Sequence, residues 1–193
     1  MEKIKMGQQQ FLIPKPVLLV GTVVNDKPNF ITVSWAGITS ENPPTMFVAI
    51  RNIRYSLKGV QQNKTFSINI PSADMVAQAD YCGTVSGSEV DKIDECKFKL
   101  FYGNLKNAPL IEQCPINIEC EVSQIIEIGD HSLVIGEVVE SYVTGTCIIN
   151  GIPDIRKIDP LGFCTLTSKS MGYYKIGEFV APTNSGGKET KKE

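Results

Sequence analysis

Residues 115–143 hold the longest regular pattern in the chain. In PINIECEVSQIIEI, Ile116, Ile118, Cys120 and Val122 alternate with Asn117, Glu119, Glu121 and Ser123. That period of two predicts a strand with the apolar set on one face and the polar set on the other. Gly129-Asp130-His131 forms a turn, and SLVIGEVVESYV returns as the second strand. A long antiparallel pair commits the chain to a β-rich architecture.

The remaining segments extend that reading. PVLLVGTVV (16–24) is an apolar β-rich run, Asn25-Asp26-Lys27-Pro28 a turn cluster, and FITVSW a returning strand. MFVAIR (46–51) and TFSINI (65–70) read as two more strands. Between them YSLKGVQQN suits a short helix that Gly59 weakens, and Ser72 is a plausible N-cap for a second over ADMVAQADY. A polar loop, GTVSGSEVDKIDE (83–95), leads into a third helical turn, and the C-terminal DPLGFCTLTSKSMGYYKIGEFV mixes turns with short extended pieces. The expected fold is a mainly β barrel with short helical insertions. Residues 1–181 are expected to form one domain, and the polar tail 182–193 to be disordered.

Composition removes several function classes. The net charge is −2 and the sequence pI about 5.6, which leaves no basic footprint for nucleic acid or an anionic membrane. MEKIKMGQQQFLIPKP has no apolar run suited to a signal peptide, and no segment reads as a membrane span, so a cytoplasmic protein is expected. The six cysteines show no CxxC pair and are read as reduced thiols, with a disulfide between two of them left open. Cys120 falls on an apolar strand face, as a small core residue would. With one histidine and no suitable cysteine spacing, no metal is assigned. Neither GxGxxG nor GxxxxGK[ST] occurs, which argues against a dinucleotide domain and a P-loop.

The stretch from Asn29 to Gly59 carries the chemistry. Arg51, Arg54, Ser56 and Lys58 lie where a strand end enters a helix, and helix-start N–H groups with a hydroxyl and cations can cradle a phosphate. The same residues also suit an ordinary solvated basic patch. Upstream, Ser34-Trp35-Ala36-Gly37 reads as a small-residue loop whose backbone donors can approach a planar ring, with the indole to stack on it. Alternatively, the only tryptophan is a core aromatic. Lys92, beyond the Gly87-Ser88 turn, can reach a ring or a phosphate or stand as an exposed helix charge. His131 has the same ambiguity at its turn.

Taken in order, Asn29, Thr32-x-Ser34-Trp35, Pro43-Pro44, Arg51, Ser56, Phe66-x-Ile68-Asn69, Ser86-Gly87, Asp91-Lys92 and His131 resemble the flavin reductase-like FMN-binding split barrels, and within them the flavoredoxin branch. The resemblance spans roughly residues 10 to 180. It implies a six-stranded, Greek-key-like split β-barrel, usually a homodimer, with FMN held noncovalently near the subunit interface. By matching position, Asn29, Trp35, Ser56, Lys92 and His131 would contact FMN. Ser34, Ala36 and Gly37 would supply backbone around the ring, and Arg51 and Lys58 would lie toward the phosphate. Phe163 or Cys164 falls where this branch places an aromatic, and Tyr173 and Tyr174 resemble its closing strand. The implied function is electron transfer from NAD(P)H or a redox partner to a flavin, a metal complex or a protein acceptor, with the chemistry on the flavin rather than on a catalytic side chain. A non-catalytic FMN-binding barrel and a pyridoxamine phosphate oxidase-type enzyme are the alternatives. Among the cysteines, Cys82 is the one placed to influence cofactor reduction.

Overall fold

The computed structural model describes residues 1–165 and 171–183. A two-residue strand, β1 (Lys15–Pro16), precedes β2 (Leu18–Val24), which turns into β3 (Lys27–Val33) through Asn25 and Asp26 alone. Both turn residues have positive φ (50° and 60°), the twist that joins a two-residue hairpin and that Asn and Asp tolerate. β4 (Ala36–Glu41) pairs with β5 (Pro44–Arg51). Then come α1 (Tyr55–Asn63), β6 (Thr65–Ile70), α2 (Val76–Thr84) and the four-residue α3 (Lys92–Glu95).

Two short strands, β7 (Leu100–Phe101) and β8 (Leu110–Ile111), lead into the long pair β9 (Ile116–Ile128) and β10 (His131–Val143). The small ladder of β11 (Ile148–Ile149) with β12 (Ile152–Pro153) and the single-turn α4 (Ile155–Ile158) precede a closing hairpin. That hairpin is β13 (Leu161–Thr165) with β14 (Met171–Lys175), and β1 adds to the free side of β13.

The main sheet has seven strands in the order β3-β2-β6-β9-β10-β5-β4, all antiparallel. Its two edges, β3 and β4, are joined by Ser34 and Trp35 only. Three Cα steps span at most about 10 Å, so the edges meet there and the sheet must roll into an open barrel. The mainly β split-barrel expectation holds. The small-residue stretch differs from its reading as a loop: Ala36 and Gly37 open β4, paired with Val48 and Phe47.

Alternation along β2 divides the core. Leu18 and Val20 join Val48, Ile50, Phe66, Ile68 and Val134 inside the barrel. Leu19 points the other way, to Phe30, Phe98 and Ile111 beneath α2 and α3. Cys120 is fully buried in the first cluster. Gly59, which weakens α1 by propensity, is where the helix lies against β2: a Cβ there would strike the Val23 carbonyl and the Thr22 hydroxyl.

The polar face of β9 is not a solvent face at its start. Asn117 and Glu119 are buried, because the chain around residues 103–111 covers that face and supplies partners for both. Glu119 accepts from the backbone N–H groups of Asn104 (2.9 Å) and Leu105 (2.8 Å) and from the Tyr142 hydroxyl (3.0 Å). All six cysteines are free thiols, with Cys82 and Cys96 4.0 Å apart through sulfur. No helix among the described residues is long and apolar enough to cross a membrane. Of the tail expected to be disordered, residues 184–193 lie outside the described residues.

Candidate functional site

Where the sheet edges meet, the end of β3, the start of α1 and the loop before α3 converge. Three adjoining clefts open there. The largest, about 560 Å³, lies between β3, α2 and the β13–β14 hairpin and is lined by Thr32, Ser34, Arg54, Phe163 and Tyr173 among others. A second, about 140 Å³, shares Thr32, Ser34 and Arg54 with it and adds Trp35, Arg51 and His131. The third, about 120 Å³, runs from Arg54 past Ser56 and Gly87 to Lys92. A further cleft of about 230 Å³ continues beyond Gly87 and Lys92 and includes Asn29.

Arg54 is common to the first three. It precedes α1 as its N-cap, half-buried, and its side chain makes no capping bond. Among the described residues its guanidinium has no hydrogen bond or ion pair. A sheltered cation without a partner carries a desolvation cost that an anion would relieve. The first backbone N–H groups of α1 lie beside it, as does Ser56, whose hydroxyl accepts from the Asn29 amide at 2.7 Å and keeps its own proton to donate.

Lys92 forms the floor of the third cleft. It is 3% exposed, and its ammonium donates to the carbonyls of Phe30 and Cys82, both at 2.9 Å. Burial pulls its pKa below the ordinary lysine value, the Cys82 thiol opposes that shift, and Arg54 adds to it. The loop above can close on Asn29 only because residue 87 is glycine; a Cβ there would collide with the Asn29 carboxamide. Burial pushes the Cys82 thiol up to about 12, with Cys96 adding to it, so Cys82 meets Lys92 through its carbonyl and not as a thiolate.

On the other flank a chain of contacts fixes the aromatic wall. His131 stacks on Trp35 with ring centroids 4.6 Å apart and planes 17° from parallel. Asp130 holds the His131 Nδ1 at 2.7 Å and the Arg51 guanidinium at 3.3 Å. The His131 contact, against a smaller opposing effect of burial, keeps the Asp130 carboxyl below the usual carboxylate range, and Arg51 acts the same way. Trp35 is 40% exposed, so it is a wall residue and not a core aromatic.

Of the residues read from sequence, Asn29, Ser34, Trp35, Arg51, Ser56, Lys92, His131 and Phe163 line this group of clefts. Ala36 faces a separate neighbouring cleft. Gly37, Lys58 and Cys164 line none of them: Gly37 lies under the Phe47 ring and Lys58 reaches over Tyr55 on the exposed side of α1. Tyr173 does reach the largest cleft, where its hydroxyl donates to Asp80 at 3.0 Å. Arg54 has a sequence signal as one of a basic cluster able to cradle a phosphate, without being singled out from Arg51 and Lys58. Thr32 gave none. Among the described residues no group of three or more His, Cys, Asp or Glu side chains is placed to hold a metal.

Comparison with known proteins places this geometry. Residues 10–148 match the model of the flavin reductase like domain. The chain belongs to the flavin reductase-like family. A flavoredoxin from Methanosarcina acetivorans shares this flavin reductase-like fold at TM-score 0.92 and 36% identity, covering 98% of this chain and all of its own. The flavoredoxin of Desulfovibrio vulgaris (Miyazaki F) superposes at TM-score 0.89 with 34% identity, over 96% of this chain and all of its own. An uncharacterized protein from Archaeoglobus fulgidus is 31% identical over 148 residues, 76% of this chain and 82% of its own.

Proposed function

We propose that this chain binds FMN in the adjoining clefts and works as an oxidoreductase or electron-transfer flavoprotein of the flavoredoxin type. The observation that carries the reading is Arg54, a half-buried cation without a partner among the described residues, beside the first N–H groups of α1 and the Ser56 hydroxyl. That donor set fits a phosphate dianion. The family and the two flavoredoxins at 34% and 36% identity support a flavin as its bearer.

When bound, FMN supplies a ring able to take up a hydride or single electrons. The residues' own tasks follow from their placement. Arg54, Ser56 and the α1 N-terminus bind the phosphate, and Asn29 orients Ser56. Ser34 offers backbone at the β3–β4 crossing, and Trp35, braced by His131, and Phe163 bound the ring's space. Lys92, held by two carbonyls, keeps positive charge at the cleft floor, where it would favour an anionic reduced ring. NAD(P)H or a redox partner is the proposed donor, and a flavin, metal complex or protein the acceptor. A cytoplasmic homodimer completes the proposal; the exposed apolar side chains of Ile176, Phe179 and Val180 support the dimer.

An absorption spectrum before and after anaerobic addition of NADH or NADPH tests the proposal. A two-banded flavin spectrum that survives desalting and bleaches with either nucleotide is the expected result. Bleaching with dithionite alone selects the electron carrier. A colourless protein that takes up no added FMN overturns the reading.

A further inference from the structure

A second cleft lies on the far side of Ser34 and Trp35. It measures about 440 Å³ and is walled by Trp35, Phe47, Leu12, Pro14 and Pro16, with Lys15 the one charged residue in its lining. Lys15 sits in β1 and is 9% exposed. Its ammonium forms no hydrogen bond or ion pair among the described residues, and its one recorded contact is the Phe163 ring, 5.6 Å from Nζ to centroid.

A lysine this sheltered usually donates to carbonyls or carboxylates, as Lys92 does in the same chain. A ring face at 5.6 Å offsets only part of the lost hydration. Lys15 therefore leaves an unmet demand for an anion at the margin of an apolar cleft with flat aromatic walls. The volume suits a single-ring or two-ring molecule, and one cation in an apolar lining is the usual composition of a site that orients a small ligand.

The geometry assigns this cleft to a small aromatic carboxylate, its ring against Trp35 and Phe47 and its carboxylate on the Lys15 ammonium. Ser34 and Trp35 are shared with the His131 cleft, and Phe163, beneath Lys15, lines the 560 Å³ cleft. A ligand here would lie next to the proposed flavin site without occupying it. The assignment rests on Lys15 and its surroundings, so it stands apart from the FMN reading.

Calorimetric titration of the full-length protein, first saturated with FMN, with benzoate and its uncharged isostere benzamide tests it. If the protein takes up no FMN, the same titration is run on the flavin-free chain, so the two readings fail separately. Saturable benzoate binding at least tenfold tighter than benzamide is expected. Lys15→Met should abolish that preference while thermal unfolding stays within a few degrees, and Lys15→Arg should keep it. On flavin-free protein, emission from Trp35, the only tryptophan, should shift with benzoate occupancy. Equal binding of the two probes, no saturation at millimolar concentration, a preference surviving Lys15→Met, or displacement of benzoate by FMN would each overturn the assignment.

Discussion

Around Glu119, each oxygen of a fully buried carboxyl is met by a donor, and Asn69 and Asn117 beside it bond to each other and to the backbone of Leu19 and Ile111. Around Arg54 the opposite holds: a half-buried guanidinium has no acceptor among the described residues, although both regions border the same sheet. Buried polar groups that satisfy one another serve the fold, because each is costly when left alone and close to neutral when paired. A sheltered charge left open keeps that cost in the free protein, and a ligand bearing the opposite charge removes it. The contrast separates the structural polar residues of this chain from the binding ones more sharply than exposure does.

The largest expected effect tests the closed region. Glu119→Ala strands two backbone N–H groups and the Tyr142 hydroxyl, each worth about 1–3 kcal/mol when unsatisfied. The expected loss is roughly 4 kcal/mol, or about 8–16 °C in Tm for a chain of this size. Thermal unfolding by circular dichroism measures it. A Tm within two or three degrees of the parent would mean that water satisfies those groups and that the region is not closed.

Arg54→Ala should behave in the reverse way. Its guanidinium makes no hydrogen bond or ion pair among the described residues, so stability should stay within about 0.5 kcal/mol. The charge-assisted bond it would make to a phosphate is worth about 1.5–3 kcal/mol, roughly a 10- to 100-fold loss in FMN affinity. Quenching of FMN fluorescence during titration gives the affinity, and Lys58→Ala is the control that should leave it unchanged. Loss of stability with unchanged FMN affinity would erase the distinction between the two regions.

The strands were legible because alternation is local: β6, β9 and β10 follow from their own residues. The faces of β9 were not. Nothing in INIEC says that the segment near residue 104 will fold across Asn117 and Glu119, and only that coverage turns a solvent face into a second core. The β3–β4 crossing was misread for a related reason, since Ala36 and Gly37 have weak strand propensity and are held by pairing with β5. Within the site, the basic cluster was visible but not its assignment. Arg54 faces the clefts and Lys58, one helical turn on, reaches over Tyr55 into solvent, a difference set by where α1 lies on β2. Lys15 gave no signal, because its burial depends on β1 joining β13, more than 140 residues away.

The smallest effect at neutral pH comes from Cys120, which adjoins Glu119 on β9 but faces the barrel core. Burial pushes this thiol up to about 12, with Glu119 adding to the shift. A folded pKa raised above the unfolded value contributes stability that is complete below about pH 9 and is lost as pH climbs toward 12. One such thiol tilts stability by at most about 1.4 kcal/mol per pH unit. Lys92, with its depressed ammonium, tilts the other way as it loses its proton, so the net alkaline slope is shallower than the buried thiols alone would give. In urea unfolding, Cys120→Ala should cost about 1 kcal/mol at pH 7 through lost core packing and reduce the further decline between pH 9 and 11. A disulfide reagent at pH 8 offers the matching kinetic comparison: half-exposed Cys164 on β13 should react within the native state, and Cys120 only after unfolding. Equal rates at the two thiols would show that the closed region opens as readily as the hairpin beside the clefts, and the distinction drawn from Glu119 and Arg54 would then describe contacts but not stability.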